Sequence, residues 1–218
     1  MSNRAPLPPA ELYAILLKEF GDLGWWPASD AVEMMTGAIL TQNTAWSNVE
    51  RAIAAFDGRL NARFILDCAP DTLADIIRPA GYYNIKARRL QALMRWFAQY
   101  DFDCANADSI DDNTLRASLL AVSGVGGETA DSIMVYAFGR TSFVIDAYTR
   151  RLLSRLGHDI PDGYEPLRLW MEQRIPCDIT VYNRLHAHIV ELCKRFCTKR
   201  SPLCERCPLT ALCLRRGL

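Results

Sequence analysis

Four cysteines fall within the last twenty-odd residues, Cys197, Cys204, Cys207 and Cys213, in the pattern C-x6-C-x2-C-x5-C. Thiols at this density bridge to one another, hold a metal centre or do redox chemistry. The compartment bears on the choice. No apolar run approaches the ~20 residues a membrane helix needs. The opening stretch, MSNRAPLPPAELY, carries one Arg and no apolar core of the kind a secretory signal has. The expected location is therefore the cytoplasm, where clustered cysteines more often bind metal or react than form disulfides.

A second candidate is Asp146, which follows the apolar run SFVI and precedes the helical pattern AYTRRLLSRLG. An aspartate there can cap the helix, or its carboxylate can stabilise developing positive charge and orient water. Taken alone, the cap is the simpler role. The third is the turn LLAVSGVGGETADSI, in which Gly124 and Gly126 bracket Val125. Glycines permit positive φ and close backbone approach. The N–H groups of Gly126, Gly127 and Glu128 then open the next helix, a position that favours an anion such as a DNA phosphate. The turn is too short for a Walker loop and no strand precedes it, so a nucleotide-binding loop is excluded.

The elements that must position these residues read as helices. ELYAILLKEF follows a Pro-Pro start. DAVEMMTGAIL, capped by Ser29 or Asp30, and SNVERAIAAF come next. PDTLADII is a short helix with Asp71 as its expected cap. NIKARRLQALMRWFAQY is long and amphipathic, with Ile85, Leu90, Leu93, Met94 and Phe97 directed inward. NTLRASLLAV and ETADSIMVYAF flank the glycine turn, AYTRRLLSRLG ends at Gly157, and PLRLWMEQRI and TVYNRLHAHIVELCKRF complete about ten helices. Only TSFVI resembles a strand, and it has no sheet to join. The fold class is all-α, without repeats or low-complexity linkers.

Net charge is zero over 218 residues, but the cations are not evenly spread. Arg78 to Arg95 holds five basic residues and no acid, and Cys193 to Arg216 holds seven against Glu205 alone. Two basic stretches on a neutral chain suit a polyanion held on one face.

Together and in this order, LLAVSGVGGETA, VIDAYTRRLLSRLG and the cysteine tail resemble the helix-hairpin-helix DNA glycosylases of the endonuclease III superfamily. The resemblance runs from about Ala31 to Cys213 and includes the segment GYYNIKARRL. It implies a [4Fe-4S] cluster on Cys197, Cys204, Cys207 and Cys213. Zinc normally takes two close ligand pairs, and only Cys204 and Cys207 form one here. It also implies a catalytic role for Asp146 beside a sugar of oxocarbenium character. Gly124, Val125 and Gly126, with Gly127, would be the DNA-binding hairpin. Gln42, in ILTQNTAW, would help fill the gap a flipped base leaves in the duplex. Lys86, Lys199 and Arg200 are expected against DNA phosphates, so binding should weaken steeply with salt.

Two departures from the family pattern narrow the expectation. Members that also cleave the strand carry a lysine two residues after the second hairpin glycine, and Glu128 stands there. A carboxylate forms no Schiff base, so a monofunctional glycosylase without lyase activity is expected. Adenine-mismatch members place a glutamate just before the glutamine segment, where TGAILTQN has no acid; Glu33, a turn earlier, is assigned to surface or packing. Trp25, Trp26 and Trp46, with Pro27, are expected to line the base pocket, either as aromatic walls or as core packing. A Trp face attracts a cationic N-alkylated purine. WWP, GAILTQNT followed by an aromatic, and RPAGYYNIKARRL most resemble the bacterial 3-methyladenine DNA glycosylase III branch. The alternatives are a glycosylase for oxidised pyrimidines or uracil and thymine mispairs, and a non-catalytic DNA-binding or electron-transfer iron-sulfur protein.

Cys68, Cys104 and Cys177 are scattered and expected to be packed. Cys193 is a helical neighbour of Cys197. His186 and His188 lie on opposite sides of one helix and are not expected to share a metal. By resemblance, a six-helix lobe at 29–136 would carry Gln42 and the hairpin. A second lobe, 1–28 with 137–218, would carry the cluster. Asp146 would stand at the mouth of a cleft between them. The implied protein is a monomer acting on double-stranded DNA containing a damaged base, at the nucleoid of a bacterial-type cell.

Overall fold

The computed structural model describes residues 4–218. Among them are eleven α-helices and no strand: α1 Pro9–Phe20, α2 Ala31–Leu40, α3 Trp46–Ala54, α4 Ala62–Asp67, α5 Pro70–Ile76, α6 Tyr83–Phe97, α7 Asp112–Leu120, α8 Gly127–Tyr136, α9 Ala147–Leu156, α10 Tyr164–Glu172 and α11 Ile179–Arg195. None is long and apolar enough to cross a membrane. The segment 141–146 is irregular, yet Phe143, Val144 and Ile145 are buried, so the strand-like run serves packing rather than pairing.

The chain forms two compact units, Trp26–Arg140 and the residues up to Trp25 together with Thr141–Leu218. The boundary separates Trp25 from Trp26. Each unit has its own core, as a unit with its own hydrophobic burial must. In Trp26–Arg140 the core gathers Met35, Ile39, Phe56, Leu90, Phe97, Leu119 and Ile133 from α2, the turn after α3, α6, α7 and α8. In the other unit it gathers Leu12 and Leu16 of α1, Leu152 and Leu156 of α9, Leu167 of α10, and Leu185 and Ile189 of α11.

Caps set several helix starts. The Asp30 carboxylate accepts from Glu33 N at 2.8 Å, and the Glu33 carboxylate accepts from Ser29 N at 3.2 Å. Both orphan donors are thereby satisfied, so Glu33 is a capping partner. Asp71 does not cap α5. That helix begins at Pro70, two residues before a cap at Asp71 would start it, with Ala69 as N-cap, because proline has no N–H to satisfy.

Helix α6 corrects a second expectation. Ile85 is 51% exposed, whereas Lys86 is 1% exposed and occupies the apolar stripe with Leu90, Leu93 and Phe97. The Lys86 ammonium donates to Leu40 O at 2.9 Å and Ala80 O at 2.8 Å. It therefore ties the C-terminus of α2 to the turn before α6 and is not a surface cation aimed at phosphate. Burial, with Arg89 nearby, pushes its pKa down to about 8.

Candidate functional site

The glycine turn joins α7 to α8, and a buried ion pair holds those helices. Arg116 donates from Nε and an Nη to the two oxygens of Asp131, at 2.7 and 3.0 Å. A two-pronged pair of this kind fixes orientation as well as distance. Gly124 sits at φ +86°, and a Cβ there would lie 2.3 Å from Arg89 Cγ, so glycine is required both by conformation and by space. Gly126 is different: it is the extended N-cap of α8 at φ −97°, and a Cβ would meet nothing. Val125 is buried beneath the turn. The N–H groups that open α8 at Gly127 and Glu128 lie just past it, and the Glu128 side chain is exposed.

Gln42 belongs to this assembly. Its Nε2 donates to Gly124 O and to Thr129 Oγ1, both at 3.0 Å, and Arg89 donates to its Oε1 at 2.5 Å. The side chain expected to enter DNA is thus held against the hairpin. Arg89, from the basic run on α6, is the link that composition alone did not single out.

In the other unit, Asp146 caps a helix with one carboxylate oxygen and turns the other to a histidine. Its Oδ1 accepts from Thr149 N at 2.7 Å and caps α9. Its Oδ2 lies 3.5 Å from Nε2 of His186 on α11, and both side chains are almost wholly buried. Burial pushes this carboxyl up, but the His186 ring and the Thr149 donors outweigh it and hold the group below its ordinary value. The site thus keeps a dry carboxylate ionised. His188, two residues on, turns to Gly21 O at 2.7 Å and packs with Tyr13 and Phe20, so the two histidines share no ligand.

The aromatic candidates divide between the units. Trp26 meets Trp46 edge to face, with centroids 5.3 Å apart at 85°, and Tyr136 at 5.2 Å. Gly37 lies beneath this cluster, close enough that a Cβ would touch both indoles. Tyr136 joins the group without any local sequence signal, since it ends α8, remote in sequence from the tryptophans. Trp25 lies in the other unit, where the Lys194 ammonium stands 5.4 Å from its ring centroid. Pro27 is exposed.

Cys197, Cys204, Cys207 and Cys213 line a single cavity walled by Leu152, Arg155, Phe196 and Leu209. Among the described residues no three His, Cys, Asp or Glu side chains converge closely enough for one metal ion. Four thiols around one shared space suit a thiolate-held iron-sulfur cluster. Cys193 does not line the cavity and points its thiol toward Tyr148 O. It does hydrogen-bond to Cys197, which with the Arg155 guanidinium holds the Cys197 thiol well below its usual range, favouring the ionised ligand.

Arg155 organises this end. Its guanidinium donates to Cys197 Sγ at 3.2 Å, Thr198 O at 2.7 Å and Lys199 O at 3.1 Å, while its own carbonyl accepts from Arg216 N at 3.1 Å. Arg151 adds a bond to Cys197 O at 2.8 Å. Lys199 and Arg200 are exposed on the loop so held. Neither arginine was distinguishable by spacing, because both read as the polar face of α9.

Comparison with known proteins agrees with this geometry. The pattern described as HhH-GPD superfamily base excision DNA repair protein matches residues 36–177, and that of the iron-sulfur binding domain of endonuclease III matches 197–213. The chain belongs to the HhH-GPD superfamily of base excision DNA repair proteins and carries the endonuclease III iron-sulfur motif, whose cluster is [4Fe-4S]. It is 44% identical over 209 residues to a Methanocaldococcus jannaschii protein provisionally assigned as a DNA repair glycosylase, covering 94% of each. Among solved structures it is similar to H. pylori 3-methyladenine DNA glycosylase (MagIII) bound to 1,N6-ethenoadenine, with TM-score 0.74 and 29% identity over 87% of this chain and 98% of that one. Its fold also matches a trapped endonuclease III–DNA covalent intermediate, with TM-score 0.78 and 23% identity over 93% and 92% of the two chains.

Proposed function

We propose that the protein is a monofunctional DNA glycosylase that releases an N-alkylated purine and leaves an abasic site. One observation carries the monofunctional reading: Glu128 stands in the first turn of α8, two residues past the second hairpin glycine. A carboxylate there cannot attack the sugar as an amine would. Water is then the nucleophile, and Asp146 is the group that orients it and offsets charge on the sugar. The ionised state of that buried carboxylate suits the role.

The aromatic cluster of Trp26, Trp46 and Tyr136 supports the choice of base. An N-alkylated purine is cationic and already a good leaving group, so it gains from aromatic faces more than from a general acid. The H. pylori relative, named for 3-methyladenine, points the same way. Gln42 and the hairpin would hold the duplex, with Lys199 and Arg200 on the flanking phosphates.

The test is a panel of duplexes carrying 7-methylguanine, thymine glycol or uracil opposite guanine, each scored for strand breaks before and after alkali. The expected result is breaks only after alkali, and fastest for 7-methylguanine. Covalent trapping of the wild-type protein by borohydride overturns the monofunctional reading. A preference for thymine glycol or uracil overturns the alkylpurine reading. Asp146→Asn should abolish base release while DNA binding persists.

A further inference from the structure

The reaction as read so far uses Asp146 and leaves His186 without a part. Yet His186 is 4% exposed, sits in the middle of α11 and faces the one carboxylate oxygen that the α9 cap does not use. Oδ1 is committed to Thr149 N. Oδ2 is therefore the oxygen left to meet water or the sugar, and its direction is set by whatever stands beside it.

We propose that His186 is a positioning residue for base release, donating from Nε2 toward Oδ2 of Asp146 so that the carboxylate stays oriented and ionised in its dry site. This rests on the reading of Asp146 as the catalytic carboxylate. The donor and the N–H of Thr149 divide the two oxygens between them, so the carboxylate plane is fixed from both sides. A separation of 3.5 Å is at the long end for such a contact, within reach of a small turn of the ring. Rotation of Oδ2 away from the reacting carbon would remove the stabilisation it supplies without disturbing the helix cap. The ring also works against desolvation, which alone would protonate the acid. The groups facing the carboxylate are His186 and Cys193 from α11 and Thr149 from its own helix. Of these, His186 is the side chain besides Thr149 that favours the charged form.

His188 supplies an internal control. It lies on the same helix and is equally buried, but it bonds to Gly21 O and does not approach Asp146. A purely structural histidine should behave like His188.

The experiment uses cluster-loaded protein and single-turnover base release from a duplex that the wild type processes, 7-methylguanine in the first instance, across a range of pH. His186→Ala should slow release about tenfold to a hundredfold, the scale of loss when a catalytic group is misplaced. The dissociation constant for the same duplex should stay within about twofold, because the interaction acts on the chemical step. The acid limb of the rate profile should move to higher pH, since the carboxylate has lost the group that keeps it ionised. His186→Gln, which can still donate, should recover most of the rate. His188→Gln should lower thermal stability and leave the acid limb in place. The proposal falls if His186→Ala releases base at the wild-type rate. It falls also if the loss appears without movement of the limb and is matched by His188→Gln, which would mark a packing role. Failure of the Asp146 reading would show separately, as activity retained in Asp146→Asn.

Discussion

Gly124→Ala is the sharpest perturbation of the hairpin. The residue sits at φ +86°, and placing an L side chain in the left-handed region costs about 1–2 kcal/mol. The new Cβ would also fall 2.3 Å from Cγ, 2.4 Å from Cδ and 2.6 Å from Nε of Arg89. Backbone cannot yield there, but Arg89 can swing away, and doing so breaks its bond to Gln42 Oε1. A hydrogen bond to a charged group contributes about 1.5–3 kcal/mol. Part of that returns when the guanidinium reaches water, so the total loss should be about 2–4 kcal/mol by these two contributions. Denaturant unfolding of the wild type, Gly124→Ala, Arg89→Ala and the double variant measures it. The double variant should be less destabilised than the sum, because removing Arg89 removes the collision. The affinity for an abasic-site duplex should fall about tenfold or more, which corresponds to about 1.4 kcal/mol of lost phosphate contact. Strict additivity in the cycle, or Gly124→Ala at wild-type stability and affinity, would refute the close-approach argument.

Four other outcomes follow from the same contacts. Lys86→Met should lose about 2–4 kcal/mol by denaturant titration, since two buried carbonyls lose their donor, while the salt slope of DNA binding stays unchanged. Arg155→Leu should lower the iron content per chain and weaken DNA binding together, as the loop from Cys197 to Lys199 loses its anchor. Trp46→Ala should slow release of 7-methylguanine more than of uracil, by up to about thirtyfold if ~2 kcal/mol of cation–π attraction is lost; equal losses would indicate packing alone. The Asp146 carboxyl titrates below its ordinary range in the fold, so its contribution to stability is complete above that range and lost as pH falls through the folded value. Acid titrations of Asp146→Asn should lack that loss.

What could be read from the chain alone was whatever is local in sequence. The cysteine spacing, the glycine turn, Asp146 as a cap and ten of the eleven helices are all set by neighbours within a few residues. The helix that escaped, α4, has only six residues and is too short for a helical period to appear. Lys86 was misjudged because its partners, Leu40 and Ala80, are carbonyls, which leave no mark on a charge pattern. Its place on the stripe with Leu90 and Phe97 was nonetheless visible. His186, Arg155 and Tyr136 were beyond reach for one reason: each acts on a group that packing, not spacing, brings near. Separations of forty residues between Asp146 and His186, or forty-two between Arg155 and Cys197, carry no period.

Helix α9 begins at the Asp146 cap and holds Arg155 near its other end. Nine residues of α-helix span roughly 13–14 Å at 1.5 Å per residue. The same rigid rod therefore holds the Asp146 carboxylate at one tip and grips the first cysteine of the motif at the other. Damage to the iron-sulfur end, by oxidation or by loss of iron, would reach the chemistry as a mechanical fault: α9 would slip or turn, and the carboxylate would miss its target. Loss of iron would then lower turnover through α9 alone, in the way a hinge pin governs a door it never touches.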